Sequence, residues 1–138
     1  MAIAYFAALA GILFWPSPVD RPVDGALLDV IDFLHRHGLP EWLVSYGTVE
    51  FTANIALFIP FGIILALSLP LRKWWLAVAV AAAVSAGVEM AQALLLPERL
   101  AAWSDIVANT SGAFIGAVLV FLLGTVGVRR ADRAASRV

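Results

Sequence analysis

Apolar residues dominate this chain in long runs, and the polar positions that interrupt them fall into a small number of patterns. The first run, Ala2 to Trp15, is uniformly apolar but no longer than a core helix. Pro16, Pro18 and Pro22 then break any helix, and Trp15 suits a membrane interface, where an amphipathic ring is favoured. Between Asp24 and Arg36 the spacing changes. Leu27, Ile31 and Leu34 share one helical face, with Asp29, Asp32 and Arg36 opposite, which predicts an amphipathic helix too short to cross a bilayer. Such a helix lies flat on the surface or over the mouth of a bundle. Gly38 stops it and Pro40 keeps it stopped.

Three longer apolar runs follow. Phe51 to Leu69 reads as a span with a kink at Pro60 and Gly62, tolerable if neighbours satisfy the freed carbonyl. Trp74 to Leu96 is rich in alanine, which suits close helix approach, and Pro97 closes it. The last runs from about Asp105 to Leu123, with Gly112 and Gly116 four residues apart on one face. Arg129, Arg130, Arg133 and Arg137 follow in a basic tail over 124–138.

Composition decides which solvent these runs face. Of 138 residues, 62% are hydrophobic and 14% charged, against roughly a quarter charged in a soluble domain. A bilayer core about 30 Å thick takes about 20 apolar residues per helix, so the length allows about four crossings in a single domain over 1–138. Open sheets cannot cross lipid, and the ten-residue alternation of an outer-membrane barrel is missing. The expected fold is all-α: an integral membrane bundle of about four transmembrane helices (2–15, 51–69, 74–96 and 105–123) with a short amphipathic helix on its outer surface. Without cysteine there is no disulfide, thiolate nucleophile or thiolate metal site.

Charge sets the expected orientation. Arg72, Lys73 and the four C-terminal arginines fall on one side, and lysine and arginine in short loops prefer the cytoplasm. The segment 16–50 carries Asp20, Asp24, Asp29, Asp32, Glu41 and Glu50 against Arg21 and Arg36, and is placed outside. Both termini are then cytoplasmic. The basic tail reads as a bilayer anchor, with nucleic acid not expected as a partner.

Candidate chemistry lies in polar residues inside the spans, each of which costs at least about 2.5–3.5 kcal/mol if ionised at the bilayer centre. Ser85, Glu89 and Gln92 share a face of the third span, Asp105 and Asn109 a face of the fourth, and Glu50 and Asn54 the start of the second. The topology puts all three faces toward the outer ends, where Arg99, in the turn between the last two spans, supplies a cation. An outward-facing polar pocket is expected, its carboxylates desolvated beside one another so that the pKa of at least one rises. Plainer roles compete. Asn54 and Gln92 can be packing glue between helices, Glu89 a carboxylate neutralised by Arg99 or by a proton, and Asp105 a residue favoured by the helix dipole. His35 and His37 lack a metal-ligand pattern. No phosphate loop, nucleophile elbow or zinc motif appears, and no metal or cofactor is expected.

The stretch VEFTANIALFIPFG, then VEMAQ, then PERLAAWSDIVANTSGAFIG resembles, in order and spacing, the successive motifs of VanZ-like membrane proteins, from WPSPVD to the end of the fourth span. The resemblance implies a four-helix protein of the bacterial cytoplasmic membrane, associated with resistance to the glycopeptide teicoplanin and with cell-envelope functions. The family pattern falls on Glu50, Asn54, Glu89, Gln92, Arg99, Asp105 and Asn109. The short first span is the departure from it. Two readings stay open: a lipid-headgroup hydrolase or transferase with Glu89 and Asp105 as acid/base groups and Glu50, Asn54, Gln92, Arg99 and Asn109 as substrate-binding groups, or a non-enzymatic subunit that binds a membrane lipid, a lipid-linked envelope intermediate or a partner. The polar residues do not cross the membrane, which argues against a transporter. The sequence leaves the oligomeric state open.

Overall fold

The computed structural model describes residues 2–13, 24–95 and 102–135, with side chains described over 3–12, 25–95 and 102–127. Every regular element in these residues is helical: α1 (Ala2–Leu13), α2 (Asp24–Arg36), α3 (Tyr46–Leu67), a 3-10 turn (Leu71–Lys73), α4 (Trp74–Leu95) and α5 (Trp103–Ala135). Three of them are long and apolar enough to cross a membrane, over Tyr46–Leu67, Leu71–Leu95 and Trp103–Gly127. Only 22%, 22% and 33% of these spans are buried inside the protein, so most of their apolar surface needs an apolar solvent. The chain is a membrane helical bundle.

α5 is the hub. It packs along α3 on one side and α4 on the other, while α3 and α4 touch each other less. The α3 seam is backbone against backbone: a Cβ on Gly112 or Gly116 would strike the carbonyl of Ile55 or Ile59, and one on Gly62 would strike Ala113. Residues 55 and 59 thus pair with 112 and 116, so α3 and α5 run parallel. α4 runs antiparallel to them and presents Ala77, Ala81 and Ser85, all fully buried at four-residue spacing. Ala66, Ala77 and Ala117 close one apolar cluster, and Leu9, Phe58, Phe61, Ala81 and Ala113 form another. Small side chains make such an approach favourable where lipid supplies no hydrophobic drive to associate.

α1 enters this second cluster through Leu9, and Phe6 stacks edge-on against Phe61 at 5.6 Å. At 12 residues it is about 18 Å long, short of a bilayer core. Residues 14–23, on which its expected continuation and Trp15 fall, lie outside the described residues. Pro60 stands inside α3 and removes the N–H that would bond Ala56. The Tyr5 hydroxyl donates to the neighbouring Leu57 carbonyl at 2.6 Å, an outside partner for backbone at the turn the proline loosens.

α2 has the expected bounds and face: Ile31 is buried, Leu27 and Leu34 half-buried, and Asp29, Asp32 and Arg36 exposed. Gly38 ends it with φ +92°, and the Leu39 N–H returns to the Leu34 carbonyl. Two long helices outrun their apolar stretches. α3 starts at Tyr46 rather than Phe51 because Ser45 caps it, accepting the Thr48 N–H at 3.2 Å. α5 continues through the expected basic tail to Ala135, which makes it about 50 Å long and carries Arg129, Arg130 and Arg133 beyond the apolar span.

The glycine seam yields a direct test. Gly112→Ala or Gly116→Ala should lower the thermal midpoint of the detergent-solubilised protein sharply, because α3 and α5 must separate to admit the methyl group. A Cβ on Gly87, in α4, would meet nothing within 4 Å, so Gly87→Ala should be neutral or raise stability by about 0.5–1 kcal/mol through helix propensity. Equal losses for all three variants would contradict the seam.

Candidate functional site

Each long helix carries the same order of residues along one stripe, polar at one end and apolar or small deeper. On α3 it is Glu50, Asn54, Phe58 and Gly62; on α4, read from the other end, Gln92, Glu89, Ser85 and Ala81; on α5, Asp105, Asn109, Gly112 and Gly116. The ladder of contacts puts these polar stretches at one end of the bundle, opposite Arg72 and Lys73. Within that end there are two levels. Asn54, Ser85 and Asn109 form the deeper one, and Glu50, Glu89 and Asp105 each lie four residues, about 6 Å, nearer the end.

The deeper level is joined by one fully internal bond. Asn109 Nδ2 donates to Ser85 Oγ at 2.9 Å, with the two residues 3% and 0% exposed, which ties α5 to α4. Asn109 Oδ1 is buried without a hydrogen-bond partner, as is the Thr110 hydroxyl. The contrast with the other helix hydroxyls is plain: Thr52, Ser68 and Ser111 each donate to the carbonyl four residues back.

At the outer level Glu89 is the buried member, 6% exposed, and Gln92 one turn on is 5% exposed. Both face the protein, as their helical spacing predicts. Glu89 Oε2 accepts the backbone N–H of Ala102 at 2.9 Å. Ala102 immediately precedes α5, whose unpaired N–H groups and dipole favour a negative charge at that end. Glu89 therefore fastens α4 to the start of α5. It also lines a cavity of about 250 Å³ with Ala86, Met90, Ala102, Trp103 and Ile106.

The remaining predicted residues are placed less deeply. Asp105 is half-buried in the first turn of α5, where its backbone N–H returns to the Ala102 carbonyl and its carboxylate accepts a weak bond from Ser104 Oγ at 3.4 Å. Asn54 is half-buried and Glu50 exposed, at matching depth on α3. Glu50, Glu89, Gln92 and Tyr46 each have a further polar or ring interaction. Arg99 lies outside the described residues. Among the described residues no three His, Asp or Glu side chains gather as a metal would need.

The profile of the VanZ/LLP1 family matches residues 2–124. The chain belongs to that family. Comparison with curated proteins gives no match, and neither does comparison with solved structures. In this VanZ/LLP1 protein, three parts of the site escape sequence reasoning: the Ala102 N–H, the unpartnered Thr110 hydroxyl and the cavity beside Glu89. The first is a backbone group, which leaves no mark in a pattern of side chains. Thr110 resembles any helix threonine until its missing bond is seen.

The two functions of the Glu89 carboxylate, bond acceptor and charge, separate by substitution. Glu89→Gln keeps an acceptor for Ala102, so its thermal midpoint should stay near that of the parent protein. Glu89→Ala leaves that N–H unmatched, a loss of about 1–3 kcal/mol, and should unfold at clearly lower temperature in detergent. If both variants melt alike, the Ala102 bond does not hold α4 to α5.

Proposed function

We propose that this VanZ/LLP1 protein lies in the bacterial cytoplasmic membrane with its polar end outward, and acts there on the headgroup of an envelope lipid or lipid-linked intermediate. The single observation that carries the reading is Glu89: a carboxylate kept 6% exposed inside a membrane bundle, beside a cavity, at the end of the bundle that carries the other polar stretches. Ionisable groups so placed are expensive and mark functional sites. In the enzymatic form of the reading, Glu89 takes a proton from an attacking hydroxyl or water and returns it to the leaving oxygen, with Asp105 as the second acid/base group. Arg99 holds a phosphate, and Glu50, Asn54, Gln92 and Asn109 position the headgroup. The family association with teicoplanin resistance fits a change in envelope lipids at the outer leaflet.

A second reading rests on the Ala102 bond. A carboxylate that caps α5 already has a structural use, which favours a non-enzymatic subunit that binds a lipid or a partner.

Orientation can be tested first, because the chain has no native cysteine. With single cysteines at Ser45 and Ser136, an impermeant thiol reagent on whole cells should label the first and spare the second; the reverse pattern refutes the proposed topology. Phenotype then separates the two readings. Glu89→Gln should accumulate normally and abolish any glycopeptide-resistance or lipid-modification phenotype, because an amide cannot shuttle a proton. Full phenotype at normal abundance moves the assignment to the binding subunit. Removal of Arg99 should weaken co-purification of phosphorylated lipid, with lysine rescuing only in part for want of a bidentate fork.

A further inference from the structure

The cavity beside Glu89 has a neighbour on the same helix pair. A second, larger groove of about 560 Å³ runs down the outside of the same α4/α5 seam, walled by Val78, Thr110, Phe114 and Ile115. The two share Ile106, which lines both. From Ala102 to Ile115 the two, bordering at Ile106, form a track about 20 Å long, of which the part below Ile106 is about 14 Å, at 1.5 Å per residue. Half of a bilayer core is about 15 Å. The track thus starts at a buried carboxylate, descends through one leaflet and stops near the bilayer centre.

Its walls change character in the same order. The upper part holds Glu89, and the lower part is aliphatic and aromatic apart from Ser111 and Thr110, whose hydroxyl is buried behind the groove wall without a partner. The side of the track is open: Trp103, Val107, Phe114 and Ile115 are 83%, 56%, 48% and 40% exposed. Two other grooves lack this combination. The one at the basic end, about 590 Å³ between α3 and α5, is lined by aliphatic residues and glycine alone. The one on α3 over Thr48, Thr52 and Ala56 includes no carboxylate.

We propose that the α4/α5 seam is the acyl-chain half of the site: one chain of a phospholipid lies over Val78, Phe114 and Ile115, its headgroup end rises past Ile106 to Glu89, and the lipid reaches the carboxylate sideways from the bilayer. The proposal rests on the headgroup reading above and adds the substrate class and its route. Headgroup specificity lies with the polar end, and chain length with the distance from Ile106 to Ile115.

The test uses the full chain reconstituted in vesicles that contain phosphatidylglycerol with a diazirine near the end of one acyl chain, followed by photolysis and mapping of adducts by mass spectrometry. Adducts should gather on Thr110, Phe114, Ile115 and Val78, several-fold above Ala56 and Pro60, which are exposed on α3 at similar depth. Ile115→Trp, at an exposed position that tolerates bulk, should fill the foot of the groove and cut labelling of Thr110 and Phe114 several-fold; Val78→Trp does the same from α4. Equal labelling of α3 and the seam, or labelling of the seam unaltered in both tryptophan variants, overturns the proposal. Glu89→Gln keeps the two levels distinct. If it loses phenotype while the seam labels no more than α3, the headgroup reading stands and the chain site falls. If it keeps phenotype while the seam labels selectively, the chain site stands and the acid/base role falls.

Discussion

The backbone contact between α3 and α5 is the constraint on which the rest of the bundle depends. In lipid there is no hydrophobic gain from bringing two apolar helices together, so association rests on close packing and on bonds between helices. Gly62, Gly112 and Gly116 remove the side chains that would keep the axes apart, and the carbonyls of Ile55 and Ile59 lie against α5 directly. That contact sets the relative height of the two helices. A shift of one turn would replace glycine with a side chain at the contact, so the depths at which Asn54 and Asn109 stand follow from where the glycines are.

With α3 and α5 fixed, α4 has two polar tethers to α5 and a run of small residues beneath them. Asn109 to Ser85 is wholly internal, and Ala102 to Glu89 is nearer the end. Each satisfies groups that lipid cannot, and together they hold the antiparallel helix in register. Asn109 retains an unpartnered oxygen, and Glu89 retains a face toward a cavity. A bundle built for packing alone would place alanine at these positions, as it does at Ala81 and Ala77, one and two turns deeper than Ser85.

Much of this is legible in the sequence, because a helix in lipid obeys few rules. The spacing of Ser85, Glu89 and Gln92 puts all three on one face of α4, and that face is the buried one; Gly112 and Gly116 announce a close seam, and the seam is there. What stays hidden falls into two kinds. Helix ends depart from the apolar pattern where a local bond or a polar extension outruns it: Ser45 starts α3 five residues early, and α5 continues through the basic tail. Partnerships are hidden where one member is backbone. Glu89 reads as a charge in want of Arg99, and nothing in a side-chain pattern singles out the N–H of an alanine.

The three stripes also explain why packing and chemistry can share one small bundle without interfering. Along α5 the residues read Asp105, Asn109, Gly112, Gly116, so a single face is polar for its first turn and small for the next two. The small part demands contact and admits no ligand; the polar part packs only where its donors and acceptors find partners, as Asn109 does in Ser85 and Glu89 in the Ala102 N–H. The helices therefore meet backbone to backbone below and through polar bonds above, where Glu89 also borders a cavity. A site at one membrane face is the arrangement this division of the stripe allows, because moving the polar group deeper would displace the glycines that hold α3 to α5.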